Sequence, residues 1–210
     1  MLLSAHFTVA VSFHHVLPRC ASAKKLYTAI PCIFTFGDSL LNAGNNNHLK
    51  SAPAKANTLP NGIDFPTHNA TGRFCNGKIV PDFIGERLTF CVPSQQVIIL
   101  NDRIRTDYVG LDYAPPYLAP TTNGAQLLQG VNYASGAGGI LDESGLDLLS
   151  LSAQIQRLTN TTIELEEILG AAQKKSFLAE PLFLISLGTN DYVYNYTLAN
   201  SSMKAEYPDA

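Results

Sequence analysis

Apolar positions in this 210-residue chain fall into short runs, with glycine, proline and polar clusters between them. Cys32-Ile33-Phe34-Thr35-Phe36 is nearly continuous and reads as a buried strand, Cys32–Phe36. Leu182-Phe183-Leu184-Ile185-Ser186-Leu187 is a second and clearer strand, opened by the helix-breaking Pro181. Gly130 to Ala134 reads as a third, short and buried. The intervening segments carry helical spacing instead. Pro81 suits a first helical turn, and Phe83, Ile84 and Leu88 follow as a short stripe. Ser152 is placed to cap a helix carrying Ile155 and Leu158. A further helix is expected over about residues 162–178, with Glu164, Glu166 and Glu167 early and Lys174 and Lys175 late, an order that complements the helix dipole. Strands alternating with helices predict an α/β fold, with a parallel sheet covered on both faces.

The ends and the composition narrow the class. Leu2 to Leu17 is broadly apolar and Ala21-Ser22-Ala23 has the small-x-small form of a cleavage site, so residues 1–23 read as a signal peptide of an exported protein. That stretch is too short and too polar to span a bilayer, and no other stretch qualifies. Charged residues are 15% and hydrophobic ones 46%, which suits a globular core. A net charge of −3, without a Lys/Arg run, gives no reason to expect nucleic acid as partner. Loss of Cys20 with the leader leaves Cys32, Cys75 and Cys91, without metal-ligand spacing. Asn69-Ala70-Thr71, Asn160-Thr161-Thr162, Asn195-Tyr196-Thr197 and Asn200-Ser201-Ser202 are glycosylation sequons. No cofactor is implied. Gly72 to Lys78 approaches a phosphate-binding loop but ends in Ile79, which cannot ligand magnesium, and Gly136-Ala137-Gly138 lacks the third glycine and the later acid of a dinucleotide fingerprint.

The candidate chemistry lies at the end of the first strand. Gly37-Asp38-Ser39 delivers a hydroxyl to the carboxyl edge of the sheet, where open α/β folds keep their ligand sites. By itself the tripeptide is also an ordinary turn, with Asp38 or Ser39 as an N-cap. Two further blocks follow in order: Gly130-Val131-Asn132-Tyr133-Ala134-Ser135-Gly136-Ala137-Gly138-Gly139-Ile140-Leu141, and Leu184-Ile185-Ser186-Leu187-Gly188-Thr189-Asn190-Asp191-Tyr192. With Phe36 to Asn47, with Thr71 to Lys78 and with Tyr113 to Leu118, these blocks closely resemble the plant-type GDSL esterase/lipase family of the SGNH hydrolases. The resemblance runs from about Ile30 to Tyr196. It implies a flavodoxin-like three-layer α/β/α sandwich, of which residues 24–210 are the N-terminal portion. It also implies that Ser39 is the nucleophile, and that the backbone N–H of Gly136, the side-chain amide of Asn190 and the N–H of Ser39 receive the oxyanion. Donors fixed in advance stabilise charge as it develops, and losing one costs roughly 3 kcal/mol in the transition state. The substrate would be a small-molecule or lipid acyl ester.

The chain departs from the family pattern in four places. The family's base is a His in a C-terminal Asp-x-x-His block. Here the histidines are His6, His14, His15, His48 and His68, and neither His48 nor His68 lies where the family keeps its base. Thr89 to Val109 is an atypical insertion, read as a translated intron or misplaced exon boundary, with a true lid as the alternative. Asn42 stands where the family usually has Asp, and Cys75 where it usually has Ser. Two function classes follow: a serine ester hydrolase of the GDSL type, or a catalytically inactive exported binding relative or non-functional fragment.

Overall fold

In the computed structural model, residues 10–11, 30–52, 54–89, 113–144, 150–197 and 202–206 are described. The residues after Thr89 in the expected Thr89 to Val109 insertion, the cysteines Cys20 and Cys91, and the expected cleavage site lie outside the described residues. Strand β1 is Ala10–Val11, β2 is Ile33–Gly37 and β3 is Leu182–Ser186. The helices are α1 (Val80–Thr89), α2 (Leu151–Leu169), α3 (Ala171–Leu178) and α4 (Ser202–Glu206).

β2 and β3 pair in parallel, with Ile33 opposite Leu182 and Gly37 opposite Ser186. The segment after Gly130 runs along the other edge of β2. Thr35 N–H donates to Val131 O, Tyr133 N–H to Thr35 O and Ser135 N–H to Gly37 O, at 3.0, 2.8 and 3.0 Å. The expected third strand is therefore present as a parallel run against β2, reduced to a bridge between Thr35 and Asn132, with Pro116 bridged to Asn132 in turn. One expectation changes: the sheet is not wholly parallel, because β1 pairs antiparallel with β3, Ala10 opposite Ile185.

Alternation in β2 sends successive side chains to opposite faces, and each face meets a different helix. Phe34 and Phe36 join Cys32, Leu127, Val131 and Tyr133 in one core, against which Leu158, Leu165 and Leu169 of α2 and Phe177 of α3 pack. Ile33 joins Leu41, Ala134, Leu182 and Leu184 in a second core, against Ile84 of α1. These are the three layers. Tyr133 is wholly buried, stacks on Phe36 with ring centroids 5.0 Å apart, and donates its hydroxyl to Thr161 Oγ1 at 2.9 Å. Burying such a ring stabilises by about 2–3 kcal/mol, and the hydrogen bond removes the cost of the polar tip.

The helical expectations need correction. Ser150, not Ser152, caps α2, its Oγ accepting from Ala153 N–H. α2 runs unbroken through the residues where two helices were expected, so Glu164, Glu166 and Glu167 sit near its end. The break comes at Gly170, whose φ of 76° and ψ of 158° stop the helix before α3. The buried residues of α2 are Gln154, Arg157, Thr161 and Leu165, while Ile155 is half exposed. Spacing by three and four is kept, but the inward stripe is largely polar.

Candidate active site

Three loops leave the carboxyl ends of three adjacent parallel segments: residues 38–41 after β2, 136–141 after the Val131 run, and 187–191 after β3. Gly37, at the tip of β2, is fixed first. Gln154 of α2 grips both of its backbone groups, Oε1 accepting from Gly37 N–H and Nε2 donating to Gly37 O, each at 2.9 Å.

The chain then turns at Asp38. Its Oδ1 accepts from Leu40 N–H at 2.9 Å, an Asx-type turn that leaves Ser39 half buried at the bend. No helix begins here, so the turn and not an N-cap accounts for this carboxylate. Asp38 Oδ2 is buried without a hydrogen-bond partner. Burial pushes this carboxyl above its usual range. The Leu40 N–H bond and the nearness of the Thr189 hydroxyl oppose the shift, and the like charge of Asp191 adds to it.

Behind Ser39, residues 42–47 form a buried amide network. Asn45 Nδ2 donates to Asn132 O and Ala134 O, each at 2.8 Å, and its Oδ1 accepts from Leu118 N–H. Asn132 returns the link, donating to Leu41 O at 2.7 Å. Asn46 Oδ1 accepts from Gly136 N–H at 2.8 Å, and Asn46 Nδ2 donates to Gly136 O at 3.0 Å. Gly136 is required by space as well: a Cβ there would lie 2.6 Å from the Phe74 ring. Its successor Ala137 sits at φ 67°, an uncommon conformation for a residue with a side chain.

From the third loop, Asn190 donates through Nδ2 to Gly138 O at 2.7 Å. The next residue, Asp191, receives Ile140 N–H at 2.8 Å, Leu141 N–H at 3.1 Å and the Ser144 hydroxyl. Asn190 and Asp191 thus hold the 136–141 loop from one side while Asn46 holds it from the other. The three expected residues, Ser39, Gly136 and Asn190, lie on loops that touch one another. Gly136 has committed its N–H to Asn46, and Asn190 has committed one of the two N–H bonds that an amide carries. Asn46, Gln154, Thr189 and Asp191 were not singled out from sequence. Of these only Asn46 lies in a sequence feature, the polar run Asn45-Asn46-Asn47 behind Ser39, which marks a position but none of its partners.

His68 Nδ1 lies 2.9 Å from Ile63 O, on an exposed loop. Among the described residues no group of three His, Cys, Asp or Glu side chains is arranged to hold a metal. No described helix is long and apolar enough to cross a membrane.

Comparison with known proteins shows the family. A family model described as GDSL-like lipase/acylhydrolase matches residues 33–209. The GDSL esterase/lipase At5g08460 of Arabidopsis thaliana is 41% identical over 169 residues, 79% of this chain and 38% of that protein. The Arabidopsis GDSL esterase/lipase At3g50400 is 41% identical over 174 residues, 80% of this chain and 41% of its own length. GDSL esterase/lipase 7, also from Arabidopsis, is 38% identical over 174 residues, 80% of this chain and 41% of its own. The chain thus spans about two fifths of the length of these relatives. No solved structure matches it significantly. With the matched region covering β2, the Gly136 loop, β3 and Asn190, the chain belongs to the GDSL-like lipase/acylhydrolase family.

Proposed function

We propose that this chain carries the nucleophile and oxyanion side of a serine ester hydrolase acting on acyl esters. The observation that carries the reading is the meeting of the Ser39 turn, the Gly136–Gly138 loop and the Asn190 amide at the carboxyl ends of three neighbouring parallel segments. Ser39 Oγ attacks the acyl carbonyl and passes its proton to a base. The carbonyl oxygen becomes an oxyanion, received by the N–H groups of Ser39 and Gly136 and by the second N–H of Asn190. Collapse expels the alcohol, which takes up the proton, and leaves an acyl-serine; water then releases the acid. Each donor is worth about 10²–10³ in kcat. Exposed apolar side chains next to these groups, Leu40 beside Ser39 and Ile140 beside the glycine loop, suit an acyl chain better than a charged substrate.

The reading needs an imidazole for the Ser39 proton, and the family resemblance assigns it to an Asp-x-x-His block beyond the matched region. Lacking such a base, a serine hydrolase loses about 10⁶ in kcat. The test is p-nitrophenyl butyrate hydrolysis by this 210-residue chain and by the product of the full-length transcript, each beside its Ser39→Ala variant. We expect hydrolysis only where the Asp-x-x-His block is present, and its loss in Ser39→Ala. Hydrolysis that survives Ser39→Ala removes Ser39 as nucleophile. An inert full-length product favours an inactive binding relative. Export is part of the proposal: cleavage after Ala23 would also remove β1, and N-terminal sequencing of the mature protein decides it.

A further inference from the structure

Gly136 has one N–H, and in this structure it faces inward, to Asn46 Oδ1. Asn46 is wholly buried, and its orientation is set from behind. Asn42 Nδ2 donates to the same Asn46 Oδ1 at 2.9 Å. Asn42 cannot turn round, because its own Oδ1 accepts from Gly44 N–H and Asn45 N–H, each at 2.8 Å. The far side of Asn46 agrees, since Nδ2 meets the carbonyls of Ala54 and Gly136, each at 3.0 Å. A directed row of amides therefore runs from the Gly44–Asn45 backbone through Asn42 and Asn46 to Gly136.

We propose that Asn42 is a positioning residue that, through Asn46, keeps the Gly136 N–H engaged in the resting site and so sets how readily that donor turns to an oxyanion. The proposal rests on the reading of Gly136 as an oxyanion donor. Its chemistry lies in the difference between an amide and a carboxylate. An amide at position 42 presents a donor to Asn46; a carboxylate there presents only acceptors. In Asn42→Asp one oxygen still receives the Gly44 and Asn45 N–H groups. The other is aimed at Asn46 Oδ1, acceptor against acceptor. Asn46 must then withdraw or turn its NH2 toward the carboxylate, and in either case Gly136 N–H loses its partner. Asn42→Ala deletes the donor without opposing Asn46 Oδ1, so the Gly136 bond persists. A merely structural role for Asn42 gives the reverse order, because alanine removes three hydrogen bonds and aspartate only one.

The measurement is amide hydrogen exchange of Gly136 by NMR on the ¹⁵N-labelled chain, which needs no catalytic activity. The expected result is a protected Gly136 in the wild type and in Asn42→Ala, with exchange at least tenfold faster in Asn42→Asp. Equal protection in Asn42→Asp and wild type, or faster exchange in Asn42→Ala than in Asn42→Asp, overturns the proposal. Should Asn42→Asp fail to fold, Asn46→Leu serves, because it removes the acceptor that the row of amides presents to Gly136. Gly136 then exchanges at least tenfold faster if the row acts as described, and unchanged protection is equally fatal. In the full-length product, kcat for p-nitrophenyl butyrate should rise about fivefold in Asn42→Asp with KM unchanged, the effect of removing one competing hydrogen bond. Faster exchange with unchanged kcat overturns the proposal through the reading it rests on, since Gly136 would be released with no consequence for the oxyanion.

Discussion

Asp38 stands one residue before the proposed nucleophile, with one carboxylate oxygen bonded to Leu40 N–H and the other buried without a partner. Its carboxyl is raised chiefly by burial. An acid whose folded pKa lies above the unfolded value, about 3.9 for Asp, favours folding when protonated. Its contribution is full below the unfolded pKa and is lost as pH rises through the folded one. Asp38→Asn keeps an acceptor for Leu40 N–H and sets an NH2 beside the Thr189 hydroxyl in place of the orphan oxygen. We expect urea unfolding between pH 4 and pH 8 to show wild-type stability falling relative to the variant, with Asp38→Asn the more stable at neutral pH. A variant that is less stable at pH 7, or that keeps the wild-type pH slope, contradicts this account. At this scale the sequence was legible where residues form motifs, as in Gly37-Asp38-Ser39 and Asn190. Asn45, Asn46 and Asn132 were not, because an asparagine in a loop gives no sign that its partners lie some 90 positions away.

Among the elements, α2 was the hardest to read, and the reason is physical. Hydrophobic periodicity assumes that the inward face is apolar, whereas α2 turns Gln154, Arg157 and Thr161 inward, where Gln154 bonds the Gly37 backbone, Arg157 Nη1 donates to Ser135 Oγ and Thr161 Oγ1 accepts from the Tyr133 hydroxyl. Ile155 therefore marked the wrong face, while Leu158 does pack against the core. Stability should follow the structure and not the hydropathy. Gln154→Leu orphans the Gly37 N–H while Ser135 still serves Gly37 O, a loss of about 1–3 kcal/mol. Ile155→Ser, at a position half exposed, should stay within about 0.5 kcal/mol. Urea midpoints for the two variants check this, and the reverse ranking would refute the inward placement of Gln154. The missed break at Gly170 yields a second test. No atom lies within 4 Å of a Cβ built there, so Gly170→Ala probes backbone conformation alone. Its φ and ψ fall in a region nearly restricted to glycine, and we expect a loss of about 1–3 kcal/mol in the same assay.

At the scale of the molecule, the strands β2 and β3 of a parallel sheet were legible because buried parallel strands read as continuous apolar runs, while their register was not. The antiparallel pairing of Ala10–Val11 was not, since two residues carry no period. Nor did the sequence show how the long loop over residues 54–78 is fastened to the second face of the sheet. Arg73 does this. The residue is 5% exposed, and its guanidinium forms a fork on Asp82 of α1 with N–O distances of 2.7 and 2.8 Å, reaches Thr71 Oγ1 at 3.1 Å and Ala43 O at 3.4 Å, and lies 4.6 Å over the Phe65 ring. Asp82 in turn receives Ile79 N–H, closing the first turn of α1. One cation thus joins the Ser39 loop, the long loop and a helix. Arg73→Lys keeps the charge but loses the fork and the stacking. Removing one partner of a buried pair costs about 3–5 kcal/mol, while replacing both with apolar groups restores much of the loss. We therefore expect Arg73→Met and Asp82→Leu each to lower the urea midpoint sharply, and the double variant to be more stable than either. A double variant that is merely the sum of the two losses would mean that the pair acts through its separate bonds to Ala43, Thr71 and Ile79, and not as a unit.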